Sequence, residues 1–307
     1  MNRQRFLISL LAAPAMAPGL AAWARTTGPV RIVVGYPAGA AIDALARMVA
    51  APMAATLQRL VKAAPADGET LLLTPSATMA IFPHSYAGRL RYDPLRDFTP
   101  VAHLCSFQVG LAVGRHVPVS TLAEYIDWVR ADPAANGFYA SAALGSTPHF
   151  VGVMLARAAG LRLTHVPYKG TAAAMLALTG GEIPALTTGV GDLRTLREGG
   201  HALVLAVNGE QRDPALPDVP TFREQGYDLV STSWYSLFAP AGVPAPVLQR
   251  LSAAALAALA DNSLRQRIAQ IGLQPTGHGP ERLTAVLKAD HERWGQIVRD
   301  TGFEAER

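Results

Sequence analysis

Short apolar runs alternate along the chain with stretches whose apolar positions recur every three or four residues, the signature of parallel βαβ units. Runs at 30–35 and 69–74 predict strands; a helical period from about 42 to 60 lies between them, and Asp67-Gly68 marks the turn. Thr121-Leu-Ala-Glu124 is a capping box opening a helix that reaches Arg130, and Asn136-Gly137 is a second turn. The alternation then resumes: strand 138–142, helix 148–159 closed by Gly160, strand 161–166, helix 171–178, strand 183–187, helix 192–198 and strand 201–207. Segments 107–113 and 230–238 read as extended crossings. Beyond them the periodicity is helical at 244–260, 262–271 and 280–301, with no further strand expected.

Two α/β runs joined by two crossings predict an α/β protein of two lobes. Lobe 1 is assigned to 25–114 plus 235–307 and lobe 2 to 115–234, the C-terminal helices returning to cover the first lobe. The 307 residues suffice for this, because a single core stops growing near about 250–300 residues. Ligands of open α/β sheets bind at the carboxyl ends of strands, so the expected site is the cleft between the lobes.

Composition sharpens the picture. Half the residues are apolar and 16% are charged, which excludes disorder. Arg3 and Arg5 precede an apolar run ending at Leu20, and Ala22-Trp23-Ala24 is an A-x-A cleavage pattern, so residues 1–24 are read as a removable signal peptide and the destination as the periplasm. A retained membrane anchor is the competing reading, but Pro14, Pro18 and Gly19 interrupt a run shorter than the roughly 20 residues a bilayer requires. Arg-Gln-Arg-Phe-Leu is an imperfect twin-arginine signal and leaves the export route open. Losing Arg3 and Arg5 leaves 25 basic against 23 acidic residues, too little positive charge to attract nucleic acid. Cys105 is the sole cysteine, which rules out an internal disulfide and predicts a small buried hydrophobe.

Two loops can carry chemistry. Tyr36, Pro37, Ala38 and Gly39 join a strand end to a helix start with Asp43 in its first turn, where free amides and the helix dipole suit an anion. Any βα unit has such a loop, and Asp43 also simply favours the dipole. Ser141, Ala142, Ser146, Thr147, Pro148 and His149 form a second loop of the same kind, in which Ser146 or Thr147 equally serves as an N-cap. There is no G-x-S-x-G elbow, phosphate loop, dinucleotide fingerprint or H-E-x-x-H helix, and the eight histidines lack metal-ligand spacing. Neither an enzyme, a cofactor nor a metal is expected.

Seven motifs stand in order: Tyr-Pro-Ala-Gly-x-x-x-Asp (36–43), Asp-Gly-x-Thr-Leu-Leu (67–72), Tyr-Asp-Pro-x-x-Asp-Phe (92–98), Tyr-Ala-Ser-Ala (139–142), His-Val-Pro-Tyr-Lys-Gly (165–170), Leu-Pro-Asp-Val-Pro-Thr (216–221) and Ser-Trp-Tyr-Ser-Leu-Phe-Ala-Pro-Ala-Gly-x-Pro (233–244). With them the chain resembles the Bug family of extracytoplasmic solute receptors, the binding components of tripartite tricarboxylate transporters. The resemblance implies a two-lobed periplasmic-binding-protein fold (type II, Venus flytrap) and a monomer that closes on a small carboxylate and docks on membrane transporter subunits. It implies that Tyr36, Pro37, Ala38, Gly39 and Asp43 grip the ligand from one lobe and Ser141, Ala142, Ser146, Thr147 and His149 from the other. Ser76 and Thr78 are additions on the first lobe, and Tyr168-Lys169-Gly170 a turn at the cleft wall.

Three departures accompany the resemblance. A strand and loop usual after the first helix are absent; Ala40 and Ala41 replace smaller or hydroxylated residues after Gly39; and Thr188 stands where a cleft acid is common. The missing block motivates a rival, a family member that acts as a sensor or protein-interaction module without a small ligand. A hydrolase using Ser141 or Ser146 with His149 is the enzymatic rival, and no acid at a characteristic spacing supports it.

Overall fold

Leu71 and Leu73, two residues apart in the run that follows the first turn, are fully buried, the alternation of a strand with one face on a core. In the computed structural model, which describes residues 31–34, 41–42, 44–46, 48–49, 68, 70–90 and 92–303, that run is β2 (Thr70–Pro75). β1 (Arg31–Val34) pairs with it in parallel at the sheet edge. β3 (Phe98–Phe107), β9 (Ser233–Pro240) and β10 (Gln274–His278) complete a five-stranded sheet of order β1-β2-β9-β3-β10. The second sheet has the order β6-β5-β7-β4-β8, from β4 (Val109–Gly114), β5 (Phe138–Ser141), β6 (Thr164–Pro167), β7 (Ala185–Gly189) and β8 (Ala202–Val207).

The predicted helices appear in order, and two short ones that the periodicity did not announce, Phe82–Ser85 and Pro133–Asn136, join them. α1 comprises the described helical residues 41–42, 44–46 and 48–49, and a π-helical turn (Ala77–Ile81) runs into α2 (Phe82–Ser85). α3 (Leu122–Ala131) starts at the predicted capping box: Glu124 N–H donates to Thr121 Oγ1 at 3.1 Å, while the Glu124 carboxylate accepts from Ser120 N–H at 2.6 Å. After the short α4 (Pro133–Asn136), α5 (Thr147–Ala159) is capped by Ser146, and Gly160 ends it with φ 62°, a left-handed conformation that glycine adopts without strain. α6 (Thr171–Thr179) and α7 (Val190–Glu198) link the later strands of the second sheet. α8 (Ala245–Ala260), α9 (Asn262–Gln270) and α10 (Pro280–Thr301) return to the first sheet, α8 and α10 packing on β3. Trp234 Nε1 donates to Asp290 at 2.7 Å and ties α10 to β9.

Three expectations change. The crossing falls at Gln108, so Val109–Gly114 lies in the second sheet although the sequence placed residues up to 114 with the first lobe. The single extended segment at 107–113 is the end of one ten-residue strand, β3, and the whole of another, β4. The C-terminal part also contains a strand: Gln274–His278 has neither alternation nor a β-branched run, yet it pairs irregularly along the edge of β3, where Pro275 and Gly277 are tolerated.

Cys105 is fully buried, as predicted, among the side chains that α8 packs on the first sheet. Beneath the start of α5, the rings of His149 and His165 lie 4.3 Å apart. Burial, reinforced by the neighbouring His165, pushes His149 down to about 3, and burial pushes His165 down to about 4. Tyr139 packs against both rings and against Gly152 of α5, its hydroxyl donating to His149 O at 2.9 Å.

Two outcomes are expected. A Cβ on Gly152 would stand 2.2 Å from the buried Tyr139 ring, so Gly152→Ala, ordinarily favourable in a helix, destabilises here by about 1–3 kcal/mol. The melting temperature falls accordingly, by about 2–4 °C per kcal/mol. Secondly, His149 and His165 hold fewer protons folded than unfolded, so their contribution is complete above the ordinary imidazole pKa of 6.5 and is lost as pH falls toward 4. Thermal melts from pH 7.5 to pH 5 therefore show a shallower decline in His149→Gln than in the wild type; equal slopes would contradict the assignment.

Candidate functional site

β5 pairs in parallel with both β6 and β7, so all three strands end on the same edge of the second sheet. Each is followed by a helix, and the starts of α5, α6 and α7 therefore converge there. The first amides of a helix lack intrahelical acceptors and sit at the positive end of its dipole. Gly170 and Gly189 occupy the N-cap positions of α6 and α7 and, having no side chain, offer no side-chain cap; the first amide of α7, Val190 N–H, donates to Gln108 O at 3.0 Å. Thr147, Thr171 and the 188–192 segment line one wall of a cleft of about 770 Å³, counted out to its open mouth.

The opposite wall comes from the first sheet. Pro75, Ser76 and Ala77 follow the end of β2; Phe107, Ser233 and Tyr235 come from the two strands beside the crossings; and Ile271, Gly272 and Leu273 from the α9–β10 connection. Phe107 and Tyr235 stack with centroids 4.7 Å apart. Ser233 is 1% exposed and its hydroxyl has no partner among the described residues, a burial that costs about 1–3 kcal/mol unless something fills the bond. Among the described residues no lysine, arginine or histidine lines the cleft, and no group of three or more side chains could hold a metal.

The walls meet at two backbones. A Cβ on Gly191 would lie 2.1 Å from Ile271 O, and one on Gly272 would lie 2.4 Å from the Gly191 Cα, so only glycines permit this approach. On another side, the Tyr86 hydroxyl reaches across from the end of α2 to donate to Leu144 O at 3.1 Å.

The loop 141–149 is held from behind. Tyr168 N–H donates to Ser141 O at 3.0 Å and Gly170 N–H to Ala142 O at 3.2 Å, so the Tyr168-Lys169-Gly170 turn clasps the loop. Ser141 is fully buried, its Oγ 2.7 Å from His165 Nε2 and donating to Ala143 O at 3.2 Å. His149 accepts from Gly145 N–H through Nδ1 at 3.2 Å. Both stand behind the lining, whereas Ala142, Ser146 and Thr147 belong to it. The Ser146 hydroxyl donates to Ala143 O at 2.7 Å and accepts from His149 N–H, so its proton is engaged within the loop.

On the first lobe, Ser76 lines the cleft and is 1% exposed; Thr78 sits in the π-helical turn away from the lining, its carbonyl accepting from Tyr92 Oη at 2.7 Å. Tyr36, Pro37, Ala38, Gly39 and Asp43 lie outside the described residues. Sequence reasoning passed over Thr171, Asp192, Ser233 and Tyr235. The strand-end rule applied to β7 as it was to β5 would have drawn attention to 188–192. The expected loss of the cleft acid at Thr188 is corrected: Asp192 brings a carboxylate to the wall one helical turn on, and Thr188 Oγ1 donates to it at 3.0 Å. Burial raises the Asp192 pKa above the ordinary range, and the bond from Thr188 offsets part of that rise.

No helix among the described residues is long and apolar enough to cross a membrane. The sequence profile of the tripartite tricarboxylate transporter family receptor matches residues 47–303. A UPF0065 protein from the TAR-I ttuE-ttuC' intergenic region of Agrobacterium vitis is 30% identical over 298 residues, 90% of this chain and 85% of its own. Protein BugT of Bordetella pertussis is 26% identical over 98% of this chain and 99% of its own. Two solved structures are similar throughout: R. palustris Rpa4515 with adipate, with 29% identity and a TM-score of 0.83 over 90% of this chain and 98% of that one, and the periplasmic binding protein BugD, with 28% identity and a TM-score of 0.82 over 91% and 99%. MatC of Rhodopseudomonas palustris, solved with bound malate, has 28% identity and a TM-score of 0.79 over 88% of this chain and 98% of that one. A two-lobed fold, a cleft built from helix starts and a family profile spanning most of the sequence lead to one assignment: the chain belongs to the tripartite tricarboxylate transporter receptor family.

Proposed function

We propose that this protein is a periplasmic receptor which closes on a small dicarboxylate and delivers it to the membrane subunits of a transporter. Three helix starts on one wall, two of them without a capping side chain, and on the other wall Ser233, whose hydroxyl has no partner among the described residues, carry this function. Amide and hydroxyl bonds to a charged group contribute about 1.5–3 kcal/mol each, so a few of them hold a carboxylate without a buried lysine or arginine. The adipate and malate bound by the two similar receptors are ligands of the same class.

Thr147 and the amides at the starts of α5, α6 and α7 are the proposed contacts of the second lobe, with Ser141, Ser146 and His149 bracing the loop that presents them. Ser76 and the loop of Tyr36, Pro37, Ala38, Gly39 with Asp43 are the proposed grip of the first. The chain acts as a monomer and loses residues 1–24 on export.

Calorimetry against a panel of carboxylates including adipate and malate is expected to give heat and a raised melting temperature with at least one of them. A panel without heat would favour the sensor alternative. Closure is tested separately. Gly191→Val is expected to weaken binding about tenfold or more, at least about 1.4 kcal/mol, because its side chain would meet the Ile271 carbonyl. Undiminished affinity in that variant would show that the two walls need not approach as they do here.

A further inference from the structure

The cleft contains an acid where the proposed ligand is itself an acid. Asp192 stands at the start of α7 with one carboxyl oxygen accepting from Thr188 Oγ1 at 3.0 Å. The residues that line the cleft with it from other elements are neutral or weakly acidic, among them Ser146 and Thr147 before and in α5, Phe107 of β3, Ser233 and Tyr235 of β9, and Gly272 of the α9–β10 connection. The cations of its own helix are committed elsewhere, Arg194 to Gln270 O and Glu198, Arg197 to Asp218. Burial already disfavours the ionised form of Asp192. A second carboxylate brought into this space finds no described cation, and two like charges at close range do not both ionise. Ser233, on the wall that the first sheet supplies, lines the same cleft, and its buried hydroxyl has no partner among the described residues.

We propose that Asp192 pairs with a ligand carboxylate through one shared proton, so that the receptor takes up a proton from solvent as it captures a dicarboxylate. This rests on the carboxylate-binding function proposed above. The balance is simple: a doubly ionised ligand and one proton enter, and the acid pair they form carries one negative charge less than its separate parts. The helix-start amides stabilise the charge that remains. The site thereby prefers a second carboxyl group at this position and ties capture to an acidic exterior.

Calorimetry of the purified protein with adipate and with malate, in buffers of low and high ionisation enthalpy, reads the proton directly. Uptake approaching one proton is expected, with affinity falling about tenfold per pH unit over the range where Asp192 ionises. Asp192→Asn, which keeps a donor but cannot titrate, is expected to bind without proton uptake and with affinity independent of pH. Thr188→Val removes the donor that favours the ionised form, so the proton-linked range moves to higher pH. Binding heat indifferent to buffer, or a pH dependence that survives Asp192→Asn, would overturn the proposal while leaving carboxylate binding intact. Tighter binding of aspartate than of malate without proton uptake would also overturn it, since Asp192 would then be meeting an ammonium group. Absence of heat with either acid and with the wider panel would remove both inferences together.

Discussion

The structure depends on the parallel pairing of β5 with β6 and β7. Parallel strands joined by helices must end on one edge, and every helix that follows must start there. Three positive helix ends are thus concentrated in one wall that has no lysine, arginine or histidine among its described residues. Such a wall is built from the backbone, so its plan tolerates wide sequence change: two solved structures of 28–29% identity share the fold with TM-scores of 0.82 and 0.83.

The second wall and its position follow from how the chain crosses. Gln108 and Asn208 lie at the two crossings and are bound to each other's surroundings: Val109 N–H donates to Asn208 Oδ1 at 2.7 Å, Asn208 Nδ2 donates to Ser231 Oγ at 2.7 Å, and Gly209 N–H donates to Gln108 Oε1 at 3.1 Å. These buried polar bonds replace the ladder that each strand loses on leaving its sheet, and they hold the two crossings side by side. With that joint in place, the walls face each other and meet where Gly191 and Gly272 remove the obstacle of a side chain. The division of labour is clear at the loop 141–149, where Ser141 and His149 stand behind the wall, bonded to His165 and to Gly145 N–H, while Ala142, Ser146 and Thr147 line the cleft.

Much of this was legible in the residues. Periodicity identified the order of the main elements from α3 to β8, because α3, α5 and α7 each carry an apolar face and β5, β7 and β8 are buried runs. The Thr121–Glu124 box and Gly160 marked helix ends through local bonding alone. The Gln274–His278 strand was illegible for the converse reason: its pairing is supplied by the open edge of β3 and not by its own preference. Asp192 escaped notice because an aspartate in the first turn of a helix is ordinary, and nothing local says that this helix start faces a cleft.

By itself the sequence determined the α/β class, the two-lobe plan and the family, since each of these follows from short-range pattern or from motifs within a few residues. Tertiary structure alone decided which side chains reach the cleft and which brace it from behind. Ser141 and Ser146 have the same chemistry, and only the position of His165, twenty-four residues beyond Ser141, hides one hydroxyl inside the wall. Ser233 and Asp192 are forty-one residues apart and become opposed only when the chain recrosses, because what a polar group does depends on the neighbours that folding brings to it.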